Sequence, residues 1–238
     1  MLTPEVAAAA ESIEWTHERV RTVLETLTDE QVAGASRLPG WTRGHVLAHM
    51  AGFGEGAIRQ VERAIARADP GEFYDGGRPG RDAAIEAAAS APAAVHAARL
   101  GAAMDRWQGL VDLLDPELAA RPTSFRERPV GSLVLSWWRE MSIHLTDLDL
   151  GVQHTFWGSA FREHLTGYLG ARLPEGVELD FEPTDVDEPR RIGQGSVLRL
   201  RGSANDMVAW LAGREPLGVI VAERDGEPAE LPELGPWP

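Results

Sequence analysis

The sequence predicts an N-terminal antiparallel four-helix bundle over residues 1–154 and a small α+β unit over residues 155–238. Three observations carry that reading. Up to about residue 150 the apolar residues recur at three- and four-residue spacing, the period of helices with one buried face. After Gly151 the texture changes to short segments of period two, set between Gly, Pro and polar residues, as in strands. With 238 residues and 43% hydrophobic content, the chain can fill two modest cores.

The first helix is expected from 4 to about 28, with Val6, Ile13, Val20, Val23, Leu24 and Leu27 in one stripe. Thr28-Asp29-Glu30-Gln31 starts a short helical turn. Leu38-Pro39-Gly40-Trp41-Thr42 reads as a loop, with Thr42 as N-cap of the next helix. That second long helix runs from about 43 to 68, its core side formed by Val46, Leu47, Met50, Phe53, Ala57, Ile58, Val61 and Ile65. Residues 69 to 80 read as a loop, long for a bundle connection and so suited to border a site.

A third helix is expected from about 81 to 113, with Ala91-Pro92 as its weak point. Val95, Leu100, Met104, Trp107, Leu110, Leu113 and Leu114 line its inner face. Residues 115 to 130 read as irregular. The fourth helix runs from about 131 to 150 and is stopped by Gly151. In the second unit, 157 to 173 reads as helix, 177–182, 196–201 and 217–221 as strands, and 204–212 as helix. A polar turn region covers 183–195, and an extended proline-rich tail begins at Pro228. No internal repeat is evident.

Composition excludes several functions. There are 23 basic and 37 acidic residues, a net charge of −14, so nucleic acid and anionic membrane are poor partners. No run of about 18 apolar residues exists to span a membrane. Met1-Leu2-Thr3-Pro4-Glu5 lacks the basic start and apolar core of a signal peptide, which leads to an expectation of a cytoplasmic protein. Cysteine is absent, so any metal is held by His and carboxylate, and any thiol chemistry uses a thiol from outside.

The fourth helix carries its charges where a bland helix would not. Leu133, Trp137, Met141, His144 and Leu148 share a face, and Glu140 lies at its edge, one turn before His144. A carboxylate beside an apolar stripe needs a partner, since an unpaired buried charge is costly. Either an internal hydrogen-bond network or a metal ion shared with a third ligand satisfies it. His45 and His49 on the second helix are spaced by four, and His49 at the rim of the apolar stripe reads either as a satisfied rim residue or as a ligand; bundle cores are common places for metal sites. Arg78 and Arg81 are cations at the long loop, suited to a carboxylate.

Three segments resemble one family. Leu38-Pro39-Gly40-Trp41-Thr42-Arg43-Gly44-His45-Val46-Leu47-Ala48-His49 resembles the GWTR-x-H-x-x-x-H segment of mycothiol-dependent maleylpyruvate isomerases. Arg139-Glu140-Met141-Ser142-Ile143-His144, followed by Asp147, resembles their RE-x-x-x-H-x-x-D helix. Gly202-Ser203 through Gly213-Arg214 resembles, more weakly, their small C-terminal domain. The resemblance implies a DinB-like four-helix bundle holding a divalent metal, typically zinc, through His49, Glu140 and His144. His45 matches a family histidine that is not a ligand. Two His and one carboxylate with an open position is the set of a catalytic zinc; Asp147, one turn beyond His144, either orients a ligand imidazole from behind or belongs to a solvated helix end.

The activity implied is that of a thiol-dependent metalloenzyme. Mycothiol would be held as a zinc-bound thiolate and add to an activated double bond or displace a leaving group. In the isomerase the adduct rotates about the former double bond and the thiol leaves, turning cis into trans. Maleylpyruvate isomerisation and S-transfer to another electrophile share these ligands. Arg81 and Arg214 are the expected anion-binding and catalytic arginines for a small electrophilic or anionic substrate. Such bundles are monomers or homodimers. Two other functions compete: a zinc-activated water in hydrolysis, whose obvious base is already a ligand, and a non-catalytic binding module in which Glu140 and His144 are a structural pair.

Overall fold

Four long helices build the N-terminal unit, and each begins where its sequence supplies a start signal. In α1 (Pro4–Glu25), Thr3 accepts from the Val6 N–H and Pro4 fills the first turn, where no N–H is needed. In α3 (Arg43–Ile65), Thr42 and His45 form a capping box. In α5 (Ala93–Val111) and α7 (Val130–Asp147), Pro92 and Pro129 precede the first turn. Helices α1 and α3 each pack against both α5 and α7, which closes a four-helix bundle. Shorter helices α2 (Asp29–Ala33), α4 (Gly77–Ala88) and α6 (Pro116–Ala119) lie in the connections. The computed structural model describes residues 1–238 and separates into Met1–Gln153 and His154–Pro238.

The bundle core is aromatic. Trp137 stacks on Phe53 at 6.1 Å and packs against Trp107 at 5.4 Å between ring centroids. Its indole Nε1 donates to Nε2 of buried His17 at 2.9 Å, so neither polar atom is stranded. Gly54 makes the stack possible: a Cβ there would stand 2.7 Å from Trp137 Cη2.

The two connections leading into α3 and α7 share one hydrogen-bond pattern. A bridge pairs Ala35 with Thr42 in the first and Pro122 with Pro129 in the second. Ser36 N donates to Trp41 O (3.0 Å) and Trp41 N to Leu38 O (3.1 Å). Thr123 N donates to Arg128 O (3.1 Å) and Arg128 N to Phe125 O (3.0 Å). The hydroxyls of Ser36 and Thr123 both cap the carbonyl across the hairpin, at 2.8 and 2.6 Å. A structural repeat is thus present where the sequence shows none, because backbone groups and one hydroxyl carry it.

The C-terminal unit is α+β. Helices α8 (Ser159–Leu169) and α9 (Ala204–Leu211) pack together. The sheet has the order β2-β1-β3-β4-β5, from β1 (Val177–Pro183), β2 (Arg190–Gly193), β3 (Ser196–Gly202), β4 (Val221–Arg224) and β5 (Glu227–Pro228). Only β1 and β3 are parallel. Leu179, Phe181, Leu198 and Leu200 are buried, and α9 packs on β1 and β3. No helix is long and apolar enough to cross a membrane.

Several expected boundaries move. The helix expected from 81 begins at Gly77, shortening the loop, and the break at Ala91-Pro92 separates α4 from α5. Residues 115–130 contain α6, and the polar region 183–195 contains β2. Helix α7 stops at Asp147, with Asp149 rather than Gly151 as the first left-handed residue (φ 54°). The strand expected at 217–221 starts only at Val221, because the N–H groups of Leu217 and Gly218 bond the Asp206 carboxylate instead (2.7 and 3.1 Å). Val95, Leu113 and Ile65, expected in the core, are exposed.

Candidate metal centre

The packing of α3 on α7 decides which polar side chains meet. His49 points inward one turn before Phe53 and is buried. Glu140 and His144 face it, one helical turn apart on α7. Glu140 Oε2 lies 2.9 Å from His49 Nε2 and 3.2 Å from His144 Nε2. The two imidazoles meet edge to face at 4.7 Å. All three donor atoms lie within 4.8 Å of one another.

The surroundings hold each donor in place. His144 Nδ1 is 2.9 Å from Oδ2 of Asp147, which is fully buried. The open choice for Asp147 between a solvated helix end and an orienting carboxylate is therefore resolved in favour of the second: it fixes the ring and leaves Nε2 turned to the cluster. Trp41 covers His49 with a T-shaped contact at 5.7 Å. His45 takes no part, since its Nδ1 accepts from Thr42 N at 3.1 Å and its Nε2 faces Glu86 at 3.4 Å.

Electrostatics couple the three groups. Burial disfavours the Glu140 carboxylate, but the two histidines outweigh it and hold its pKa well below the usual range. Burial lowers the pKa of His49, against the pull of Glu140. For His144 burial acts the same way, yet the hydrogen bonds to Asp147 and Glu140 push it up to about 9. A proton and a metal thus compete for His144 Nε2.

The donor set fits a divalent ion. Two imidazoles and one carboxylate converge from two helices, an orienting carboxylate stands behind one of them, and no cysteine is present to select a softer metal.

Around the cluster lie residues of the connections. Arg81, on α4, places Nη2 3.4 Å from His49 Nδ1, pairs with Asp82 at 2.9 Å, and lies 5.9 Å over the Tyr74 ring. Tyr74 was not singled out by the sequence. Its phenol is raised in pKa by burial and by Glu140, against Arg81 and Arg126. The only signal for it was an aromatic pair, Phe73-Tyr74, inside a Gly- and Pro-rich stretch. Arg78 is exposed on α4. Arg214 belongs to the C-terminal unit, just after α9, where its Nη1 donates to Ala212 O at 2.8 Å and its guanidinium lies 5.7 Å over Trp237.

A four-helix bundle with two imidazoles and a carboxylate gathered in its interior, followed by an α+β unit, defines a class of bundle proteins with a candidate metal centre. Within that class, the family model of the mycothiol maleylpyruvate isomerase N-terminal domain matches residues 14–149, and the chain belongs to this family. Two solved structures share the fold. The crystal structure of the mycothiol-dependent maleylpyruvate isomerase superposes with a TM-score of 0.81 at 18% identity, covering 98% of this chain and 97% of that one. A histidine-to-alanine mutant of that isomerase gives 0.81 at 17% identity, with the same coverage. No curated protein sequence matches the chain.

Proposed function

We propose that this protein is a cytoplasmic metal-dependent enzyme that uses mycothiol, a low-molecular-weight thiol, on a small electrophilic anion. The reaction is either cis–trans isomerisation of maleylpyruvate or transfer of the thiol sulfur to another electrophile. One observation carries the reading: three donors from α3 and α7 lie within 4.8 Å of one another in a chain of this family.

His49, Glu140 and His144 would hold the metal, with zinc the best match to two imidazoles and one carboxylate. The bound metal supplies the Lewis acidity that keeps a thiol deprotonated near neutral pH. The chain's own residues do the rest. Asp147 fixes the tautomer and direction of His144. Arg81 stands beside the cluster and would exchange Asp82 for an anionic group on thiol or substrate; for Arg214 an anion-binding role rests on the family resemblance alone. Phe53, Phe73 and Phe125 pack into an apolar wall next to Tyr74, which keeps water from one side. Hydrolysis is disfavoured, because Glu140 is engaged by both histidines and Asp147 by His144.

The test is metal content of protein purified without chelator, followed by turnover with mycothiol. The wild type should carry close to one zinc per chain, and His49→Ala and Glu140→Ala should lose it. Maleylpyruvate consumed without thiol loss indicates isomerisation; thiol consumed in step with an electrophile indicates transfer. A wild type that neither carries nor takes up metal removes the proposal.

A further inference from the structure

Arg43, in the Trp41-Thr42-Arg43 segment, is no member of the cluster, yet its guanidinium joins the two helices that carry the donors. It opens α3, six residues before His49. Its Nε donates to Leu148 O at 2.6 Å, its Nη2 to Asp149 O at 3.2 Å and its Nη1 to Gln31 O at 3.3 Å. Leu148 and Asp149 directly follow Asp147, the last residue of α7. A helix end leaves such carbonyls without an N–H partner, and a cation there also suits the helix dipole. The same hairpin holds Asp147 itself, since Arg37 N donates to Asp147 O at 2.9 Å.

The far end of the bundle carries a comparable device with no cluster beside it. Arg121, before α7, donates from Nη1 to Ala64 O at 2.6 Å and to Ile65 O at 3.3 Å, where α3 ends. Its carboxylate partner is Glu117 at 2.8 Å, whereas Arg43 stands 3.9 Å from that of Asp149. The two side chains are similarly buried, 17% exposed for Arg43 and 22% for Arg121. They differ in the turn they hold. The last turn of α7 carries His144 and Asp147, whose 2.9 Å contact directs His144 Nε2 towards Glu140 and His49. The last turn of α3 carries no donor.

We infer that Arg43 is a positioning residue of the metal centre: by fastening the end of α7 to the start of α3, it sets the Asp147–His144 pair against His49. The inference deepens the proposed function and rests on its metal, not on its reaction. A slip of the last turn of α7 would move His144 and Asp147 together relative to His49, and a metal site tolerates only about 0.5 Å of such error. A guanidinium fork reaches three carbonyls at once; lysine keeps the charge but has a single nitrogen.

The test compares Arg43→Lys with Arg121→Lys in the full chain, by zinc titration against a competing chelator. Both variants keep their charge, so a change in affinity does not come from removing a cation near a divalent ion. Each should lower the melting temperature of the metal-free chain by about 2–4 °C. Hydrogen exchange should quicken at Leu148 and Asp149 in the first, and at Ala66 and Arg67 in the second. Only Arg43→Lys should weaken zinc, by about tenfold, and change the visible absorption of cobalt bound in place of zinc. Wild-type zinc affinity in Arg43→Lys, or an equal loss in Arg121→Lys, overturns the inference. A wild type that takes up no zinc overturns it together with the proposed function. Zinc affinity that depends on Arg43, in a protein that turns over nothing with mycothiol, sinks the proposed reaction and upholds this role for Arg43.

Discussion

At the scale of residues, the bundle interior separates two kinds of histidine by their partners. His144 faces two carboxylates and is pushed up to about 9, whereas His17 faces an indole N–H and is lowered to about 3, by burial first and then by Arg21. The neutral His17 ring is what accepts from Trp137. In the unfolded chain it titrates near 6.5, so below that pH the unfolded state binds a proton that the folded state refuses. Stability therefore falls as pH drops from about 6.5 towards 3. His17→Gln keeps an acceptor for the indole and removes the titration. Between pH 7.5 and 5.0 the wild type should lose about 2 kcal/mol more stability than His17→Gln in urea unfolding; equal losses would show that His17 is not held neutral. Of the residues around the cluster, His49, Glu140, His144 and Arg81 were legible in the sequence, because helical spacing and motif both marked them. Tyr74 was not. Its place depends on how the connection before α4 folds back, which no local period encodes.

At the scale of elements, α3 carries glycines at 52, 54 and 56 with different surroundings. Gly52 has nothing within 4 Å of an added Cβ, whereas at Gly54 that Cβ would meet Trp137 at 2.7 Å and Ala103 Cβ at 3.3 Å. Trp137 is fully buried between Phe53 and Trp107 and has no room to yield. Gly52→Ala should stabilise the protein by up to about 1 kcal/mol through helix propensity. Gly54→Ala should destabilise it by about 1–3 kcal/mol through overpacking and, by moving Trp137, shift Glu140 one turn further along α7 and weaken zinc binding. Thermal unfolding and zinc titration of both variants check this; equal behaviour would mean that the Trp137 ring is not clamped. The long helices were legible because their buried faces recur every three or four residues. The second unit was less so. The segment at 217–221 is apolar and rich in β-branched residues like a strand, but its first amides are taken by Asp206 from α9, a long-range bond invisible in a local window. Val95 and Leu113 likewise fit an inner stripe, yet both are exposed, because the register that α5 adopts is set by Leu100, Met104 and Trp107.

At the scale of the whole molecule, the two units have separate cores, and the candidate metal centre draws on only one. Its donors come from α3 and α7, the pair whose contact joins one side of the bundle to the other. A ligand that binds only the folded state stabilises by mass action, by about 2.7 kcal/mol at a hundred times its Kd. For a chain of this size that corresponds to a rise in melting temperature of about 5–10 °C. The rise should vanish in Glu140→Ala. Hydrogen exchange locates it: zinc should slow exchange in Arg43–Ile65 and Val130–Asp147, and leave the strands Val177–Pro183 and Ser196–Gly202 unchanged. Slowing spread evenly over both units would mean that the stabilisation arises elsewhere than the His49, Glu140 and His144 cluster. The distinction matters because a chain with 37 acidic residues offers many exposed carboxylates to a divalent cation. Only a response confined to α3 and α7 separates the built cluster from that diffuse attraction, which salt screens.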